Sequence, residues 1–275
     1  MNILIPLGTG STWQNNELRY MLRSLDQNLK GDYDIYVYGK APEWLTNVTV
    51  VDIDRYYPEH LVEINNGKLD YENFFDTLNK VKTFASENDS TFLYCYDDVL
   101  LVKELNINDI ENIPMEVENP AFFKIRNFDK HGKTMNAAVS LLQNNKVAQT
   151  IYNYETHIPR VYNCDKLNHL LKEYDFSQWR IPYSLATLYF NVYPEEAMQD
   201  TSIIKNIKAG FYFDDESVAS YMSNSLTNIE QAIKGKTWIN YNDMGLNVTA
   251  TDGSGKQYLK EWIMNKFPNK SKYEL

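Results

Sequence analysis

Apolar positions along this chain change their period several times, and the changes mark out its elements. Asn2-Ile3-Leu4-Ile5-Pro6-Leu7 is a short continuous apolar run, which predicts a buried first strand. A helix is predicted to run from there to about Leu29. In it Leu18, Leu22, Leu25 and Leu29 recur at spacings of four, three and four and lay one apolar stripe toward a sheet. Asn15 or Asn16 stands where that helix needs a cap. Asp34–Tyr38 alternates and ends at Gly39, and Val48–Ile53 follows a Pro42-Glu43-Trp44-Leu45 turn, so both predict strands. A helix from Phe74 to about Glu87 then feeds Phe92–Val102, two apolar arms around the adjacent carboxylates Asp97 and Asp98. Strand, helix, strand, strand is α/β order.

The second half is less regular. Ala121–Phe128 predicts a strand, Lys130-His131-Gly132-Lys133 a turn, and Met135–Leu142 is another apolar run. Tyr152–Tyr162 reads as non-helical, with Pro159 forcing an extended path beside His157 and Arg160 supplying a fixed positive charge. Asp165 can cap a helix over Lys166–Tyr174, and a further helix is expected through Phe190 with Arg180 near its start. Asp214-Asp215-Glu216 reads as the acidic start of a helix over Ser217–Tyr221. Lys236–Asp243 predicts a late strand ending in Asn-Asp, and Lys256–Phe267 a closing helix stopped by Pro268.

Charge and composition narrow the function classes. A net charge of −10 and a pI near 5.0 disfavour a protein that grips nucleic acid by broad phosphate neutralisation. The two cysteines, Cys95 and Cys164, have no metal spacing and no disulfide framework, so both read as packing residues in a reducing cytoplasm. No apolar run reaches membrane length and no basic-then-apolar leader opens the sequence, so a cytoplasmic protein, of a bacterium or a phage-infected host, is expected. The 21 tyrosines suit a half-wet surface that stacks sugars or bases, and equally a tyrosine-rich core.

Three groups carry candidate chemistry. Gly8-Thr9-Gly10-Ser11, between strand and helix, can turn its backbone N–H groups on a phosphate, or be only a tight turn. Arg19 and Arg23, four apart on one helix, can reach one anionic group or form a solvated basic face. Asp97 and Asp98 fall where a strand ends; there a carboxylate pair can hold Mg²⁺ or Mn²⁺ against a diphosphate, or serve a turn and a helix cap.

Four stretches together resemble the Stealth family of capsular and lysosomal-enzyme sugar-phosphate transferases. They are Asn16–Leu25 with Pro42–Leu45, Phe92–Val99, Tyr154–Pro159, and Ile239–Asp243 with Phe267–Glu274. The resemblance implies a GT-A-like α/β fold with a mixed, mainly parallel central sheet flanked by helices, in one domain over 1–275 whose part from about 150 completes the acceptor side. It also implies a nucleotide-sugar donor of UDP type and a hydroxyl acceptor. Carried over position by position, Asp97 or Asp98, His157, Arg180 and Asp243 become catalytic or donor-binding candidates, with Arg19 close by; the loop Gly8, Thr9, Gly10 and Ser11 and the helix residue Arg23 join the donor-binding set on the residue reading above, not on the resemblance. Two departures stand out: Trp179 takes the place of a histidine, and Leu7–Trp13 lacks the acidic run of the family's first region.

Those missing acids tilt the expectation from transfer of sugar-1-phosphate to transfer of the sugar alone, onto a glycan. A phage enzyme that glycosylates hydroxymethylated bases in DNA, which the net charge disfavours, and a non-catalytic sugar- or nucleotide-binding module are the other readings.

Overall fold

The computed structural model describes residues 1–11, 13–112, 130–147, 150–155, 157–197, 208–211, 226–241 and 255–275. Its centre is a five-stranded sheet in the order β4 (Thr49–Val51), β3 (Asp34–Tyr38), β1 (Asn2–Pro6), β5 (Thr91–Tyr94), β8 (Arg160–Asn163). The first four strands are parallel, and β8 closes the edge antiparallel to β5, with Tyr94 opposite Arg160. A second sheet sets β6 (Val99–Leu101) antiparallel to β10 (Trp238–Tyr241), which lies parallel to β9 (Lys208–Phe211). Leu29–Lys30 (β2) and Leu105–Asn106 (β7) form a short parallel pair.

Strand alternation divides the core into two. Ile3, Ile5, Ile35, Val37, Leu93 and Cys95 face one side, and Leu4, Tyr38, Phe92 and Tyr94 the other. The first face is covered by α1 (Asn16–Asn28), whose Leu18, Leu22 and Leu25 are almost completely buried. Each contributes about 1.5–3 kcal/mol relative to exposure. The other face takes α3 (Glu72–Glu87), α4 (Lys130–Asn144), α5 (Cys164–Glu173) and α6 (Leu185–Val192); the short α2 (Glu59–Ile64) adds Leu61 to the same core. The chain therefore leaves β1 for β3 and β4 on one flank and returns to β5 on the other. That reversal places a crevice at the carboxyl ends of β1 and β5.

Several expected elements are redrawn. Lys130–Lys133 is the first turn of α4, since Gly132 and Thr134 are buried there and the run Met135–Leu142 continues the same helix. α5 starts at Cys164, and its cap is Asn163, whose side chain accepts from Lys166 N; Asp165 lies inside the first turn. α6 begins only at Leu185, capped by Ser184 Oγ through the Thr187 N–H, and Pro182 disfavours helix at the residue before it. Cys95 and Cys164 are buried free thiols. Ala121–Phe128, Asp214–Tyr221 and Asn242-Asp243 lie outside the described residues. Among those described, no helix is long and apolar enough to cross a membrane.

Candidate active site

The crevice is a cavity of about 430 Å³ walled by the loop after β1, the turn after β5, the segment before β8, and faces of α3, α4 and α6. Gly8, Gly10 and Ser11 supply the first wall. Neither glycine has a left-handed backbone, and a Cβ at either would meet nothing within 4 Å. The fold itself does not demand glycine there; what their absent side chains leave bare is the cavity face of the loop. Gly39 is different. Its φ is +132° and a Cβ would fall 2.5 Å from the Leu7 carbonyl oxygen, so this turn requires glycine.

The root of the loop is held by a buried lysine. Lys80 Nζ donates to the Leu7 carbonyl at 2.7 Å and to Asp76 Oδ2 at 2.6 Å, a salt bridge across one turn of α3 with both side chains about 2–3 % exposed. Pairing is what makes a charge tolerable at such burial. At the far end of the loop, Ser11 Oγ accepts from Asn15 N at 2.7 Å and donates to Glu17 Oε2 at 2.8 Å. Ser11 thus ties down the residue before α1; Asn15 makes no side-chain cap, and Asn16 instead donates to the Trp13 carbonyl at 2.7 Å.

Asp97 and Asp98 form the turn between β5 and β6, inside the crevice. The backbone of Asp98 is pinned by β10, whose Tyr241 N–H donates to its carbonyl at 3.1 Å. Its Oδ1 is buried, accepts no hydrogen bond among the described residues, and lies 3.4 Å from His157 Nε2. The His157 ring stacks on Tyr96, with centroids 4.2 Å apart and planes at 19°. His157 itself has φ +53°, a left-handed position that costs a non-glycine residue about 1–2 kcal/mol. Proline restricts only its immediate predecessor, Ile158, so the extended path expected of Pro159 sets no limit on His157.

Behind this pair lies a buried charge network. Arg160 Nη1 donates to Tyr96 Oη at 2.6 Å, and its Nη2 donates to the Tyr154 carbonyl at 2.8 Å and lies 3.4 Å from Glu155 Oε1. Tyr96 Oη donates to Glu155 Oε1 at 2.9 Å, and Ser184 Oγ donates to Glu155 Oε2 at 2.6 Å. Burial alone would raise the Glu155 carboxyl. Arg160, with His131, the Ser184 hydroxyl and His157, outweighs it and brings the pKa from an ordinary 4.5 down to about 2. The same burial holds the Tyr96 phenol well above its usual range and so neutral, as its donor role requires.

The structure brings Gly8, Gly10, Ser11, Asp97, Asp98 and His157 to this one cavity. It places three expected residues elsewhere. Arg19 and Arg23 do not line the cavity: Arg23 grips Glu274 with two bonds of 2.7 and 2.8 Å, and Arg19 Nε lies 3.3 Å from the same carboxylate. Arg180 is exposed, with Nη2 3.5 Å from Asn65 Oδ1, because the helix it was expected to open starts five residues later. Thr9 is exposed, and Asp243 lies outside the described residues. Sequence reasoning passed over Glu17, Asp76, Tyr96, Glu155 and Ser184 as wall residues, and saw in Arg160 only a fixed positive charge beside His157. Two signals were available, the i,i+4 spacing of Asp76 and Lys80 and the Ser184 cap before Leu-Ala-Thr.

Neither a family model nor a curated protein matches the sequence. Solved structures do, and the fold they share with this chain is the GT-A type of the glycosyltransferases. One is the galactosyltransferase LgtC in complex with donor and acceptor sugar analogues, 10% identical, with 99% of this chain and 98% of that one covered at a TM-score of 0.50. Another is the bifunctional glycosyltransferase WbbM without ligands, 11% identical, with 98% of this chain and 50% of that one covered at a TM-score of 0.52.

Proposed function

We propose that this chain transfers a sugar from a nucleotide-sugar donor of UDP type to a hydroxyl of a glycan acceptor. The observation that carries the reading is the buried Oδ1 of Asp98, which among the described residues accepts no hydrogen bond and has only His157 Nε2 at 3.4 Å, at a cavity that lies at the switch point of the sheet and is also walled by a bare glycine loop. Such an oxygen suits a cation. No group of three or more His, Cys, Asp or Glu that could hold an ion occurs among the described residues. Asp97 and Asp98 would hold Mg²⁺ or Mn²⁺ as a partial ligand set and leave the other positions to donor phosphates and water. The bound ion would supply neutralisation of the departing nucleoside diphosphate.

The chain's own groups divide the remaining work. The loop Gly8–Ser11 presents backbone to the donor, and Lys80 keeps the root of that loop in place. His157 takes the proton of the acceptor hydroxyl, with its ring fixed by Tyr96. Asp243 remains a candidate for the same step, and the part of the chain from about residue 150 supplies the acceptor wall through Glu155, Ser184 and α6.

Incubation with UDP-sugars, Mn²⁺ and a panel of glycans tests this. Release of UDP with a product heavier by one sugar is the expected result. Release of UMP with a product heavier by a sugar and a phosphate would replace it with the sugar-1-phosphate reading, which the Stealth-like stretches favour. Transfer to hydroxymethylated DNA would identify the acceptor as a nucleobase. Binding without release of any nucleotide would mean a non-catalytic module.

A further inference from the structure

The four Stealth-like stretches are far apart in sequence, yet the first and last of them meet on the face of α1 opposite the cavity. Glu274 is 4 % exposed at its side chain and accepts both Arg23 bonds, while Ser271 N donates to its Oε1 at 3.0 Å. Glu274 also pairs antiparallel with Leu45, and Leu275 N donates to the Trp44 carbonyl at 2.8 Å. Arg19 lies over the Trp44 ring at 4.5 Å, so its guanidinium sits between an indole and a carboxylate.

Glu274 holds Arg19 by charge alone, since Arg19 Nε, 3.3 Å from its carboxylate, makes no hydrogen bond among the described residues; hydrogen bonds run on from Arg19 toward the glycine loop. Arg19 Nη1 donates to Asn16 Oδ1 at 2.8 Å, and Asn16 Nδ2 donates to the Trp13 carbonyl at 2.7 Å. This is a junction that needs holding. Gln14 and Asn15 have φ of 58° and 57°, two consecutive non-glycine residues in the left-handed region, and the helix they open has no side-chain cap from Asn15. A strained entry persists only where its surroundings over-determine it.

We infer that Glu274 is a positioning residue for the donor loop, acting through Arg19 and Asn16 on the strained turn before α1. This rests on the donor reading given above for the loop itself. The arginines are thus half-buried charges paired with the protein's own carboxylate, and their effect on a nucleotide is exerted through the loop they hold. Glu274 touches no substrate; it sets where Gly8–Ser11 stands.

The test uses the full chain with Arg19→Met, which keeps an apolar stem over Trp44 and leaves the Arg23–Glu274 pair intact, and with Glu274→Gln. Amide hydrogen exchange of the peptide spanning 8–15 and the affinity for UDP with Mn²⁺ are measured beside the melting temperature. Faster exchange in that peptide and UDP binding weaker by about tenfold are expected for Arg19→Met, with melting within a few degrees of the parent. Glu274→Gln shifts both readouts in the same direction. A folded Arg19→Met with unchanged exchange in 8–15 and UDP affinity within twofold of the parent overturns the inference. If the parent binds no UDP, the donor reading fails, and the exchange of 8–15 still decides whether the relay orders the loop.

Discussion

Tyr96 and His157 lie face to face, 4.2 Å apart, and the hydroxyl of the same tyrosine bridges Arg160 and Glu155. One side chain thereby serves two neighbours by different means, its ring holding the imidazole and its oxygen the buried ion pair. The two functions separate by substitution. Tyr96→Phe keeps the stack and strips Arg160 Nη1 of its acceptor, so it lowers stability by about 1–3 kcal/mol while leaving transfer near the parent rate. Tyr96→Leu loses both and lowers kcat as well. Denaturant titration beside steady-state kinetics distinguishes them, and equal kcat losses in the two variants would contradict this division.

The acid pair makes a sharper prediction. Asp98→Asn removes the charge with almost no change in shape, so the fold and its melting temperature are retained while donor turnover falls by at least about a hundredfold. EDTA treatment of the parent gives a comparable loss, restored by Mn²⁺. An Asp98→Asn protein that still turns over donor at the parent rate excludes Asp98 from the reaction.

Glycines of the same loop region are expected to behave in opposite ways. Gly8→Ala or Gly10→Ala meets no protein atom within 4 Å, so melting is unchanged and only the donor KM rises. Gly39→Ala pushes a Cβ to 2.5 Å from the Leu7 carbonyl oxygen at φ +132°, and melting falls by several degrees. A melting curve and a donor KM for each variant suffice to check both.

Glu155 links the ion pair to acid stability. Its folded pKa of about 2 lies below the ordinary 4.5, so the unfolded chain binds the proton first. The contribution is present in full above pH 4.5 and is lost as pH falls toward 2. Glu155→Gln flattens that part of the stability profile and, by leaving Arg160 buried without its carboxylate, costs about 3–5 kcal/mol at neutral pH. Chemical denaturation from pH 7 down to pH 3 measures both effects.

Much of this architecture is legible in residue pattern because local rules and tertiary packing agree there. The leucine stripe of α1, the alternation of β3 and the acid pair after β5 all appear where periodicity puts them. The arginines show the opposite case. Spacing says that Arg19 and Arg23 share a helix face, which they do, but the identity of the anion on that face depends on Glu274, at the far end of the sequence. The charge of Arg160 beside His157 is readable in sequence, but its partner Glu155 is not: the ion pair exists only because the pairing of β8 with β5 carries Arg160 inside. Capping errors at Asn15 and Asp165 came from several hydrogen-bonding residues standing within one turn, a choice that composition alone does not make.

The bond from Tyr241 N–H to the Asp98 carbonyl joins residues separated by more than half the chain. Such a long closure is slow, and during synthesis it cannot begin until β10 has left the ribosome. The acid turn, made early, therefore waits on a late-made residue for its final backbone partner. A nascent chain carries the ingredients of the acid turn long before it can pin them, so this wall of the crevice is completed only when the scaffold around it is finished.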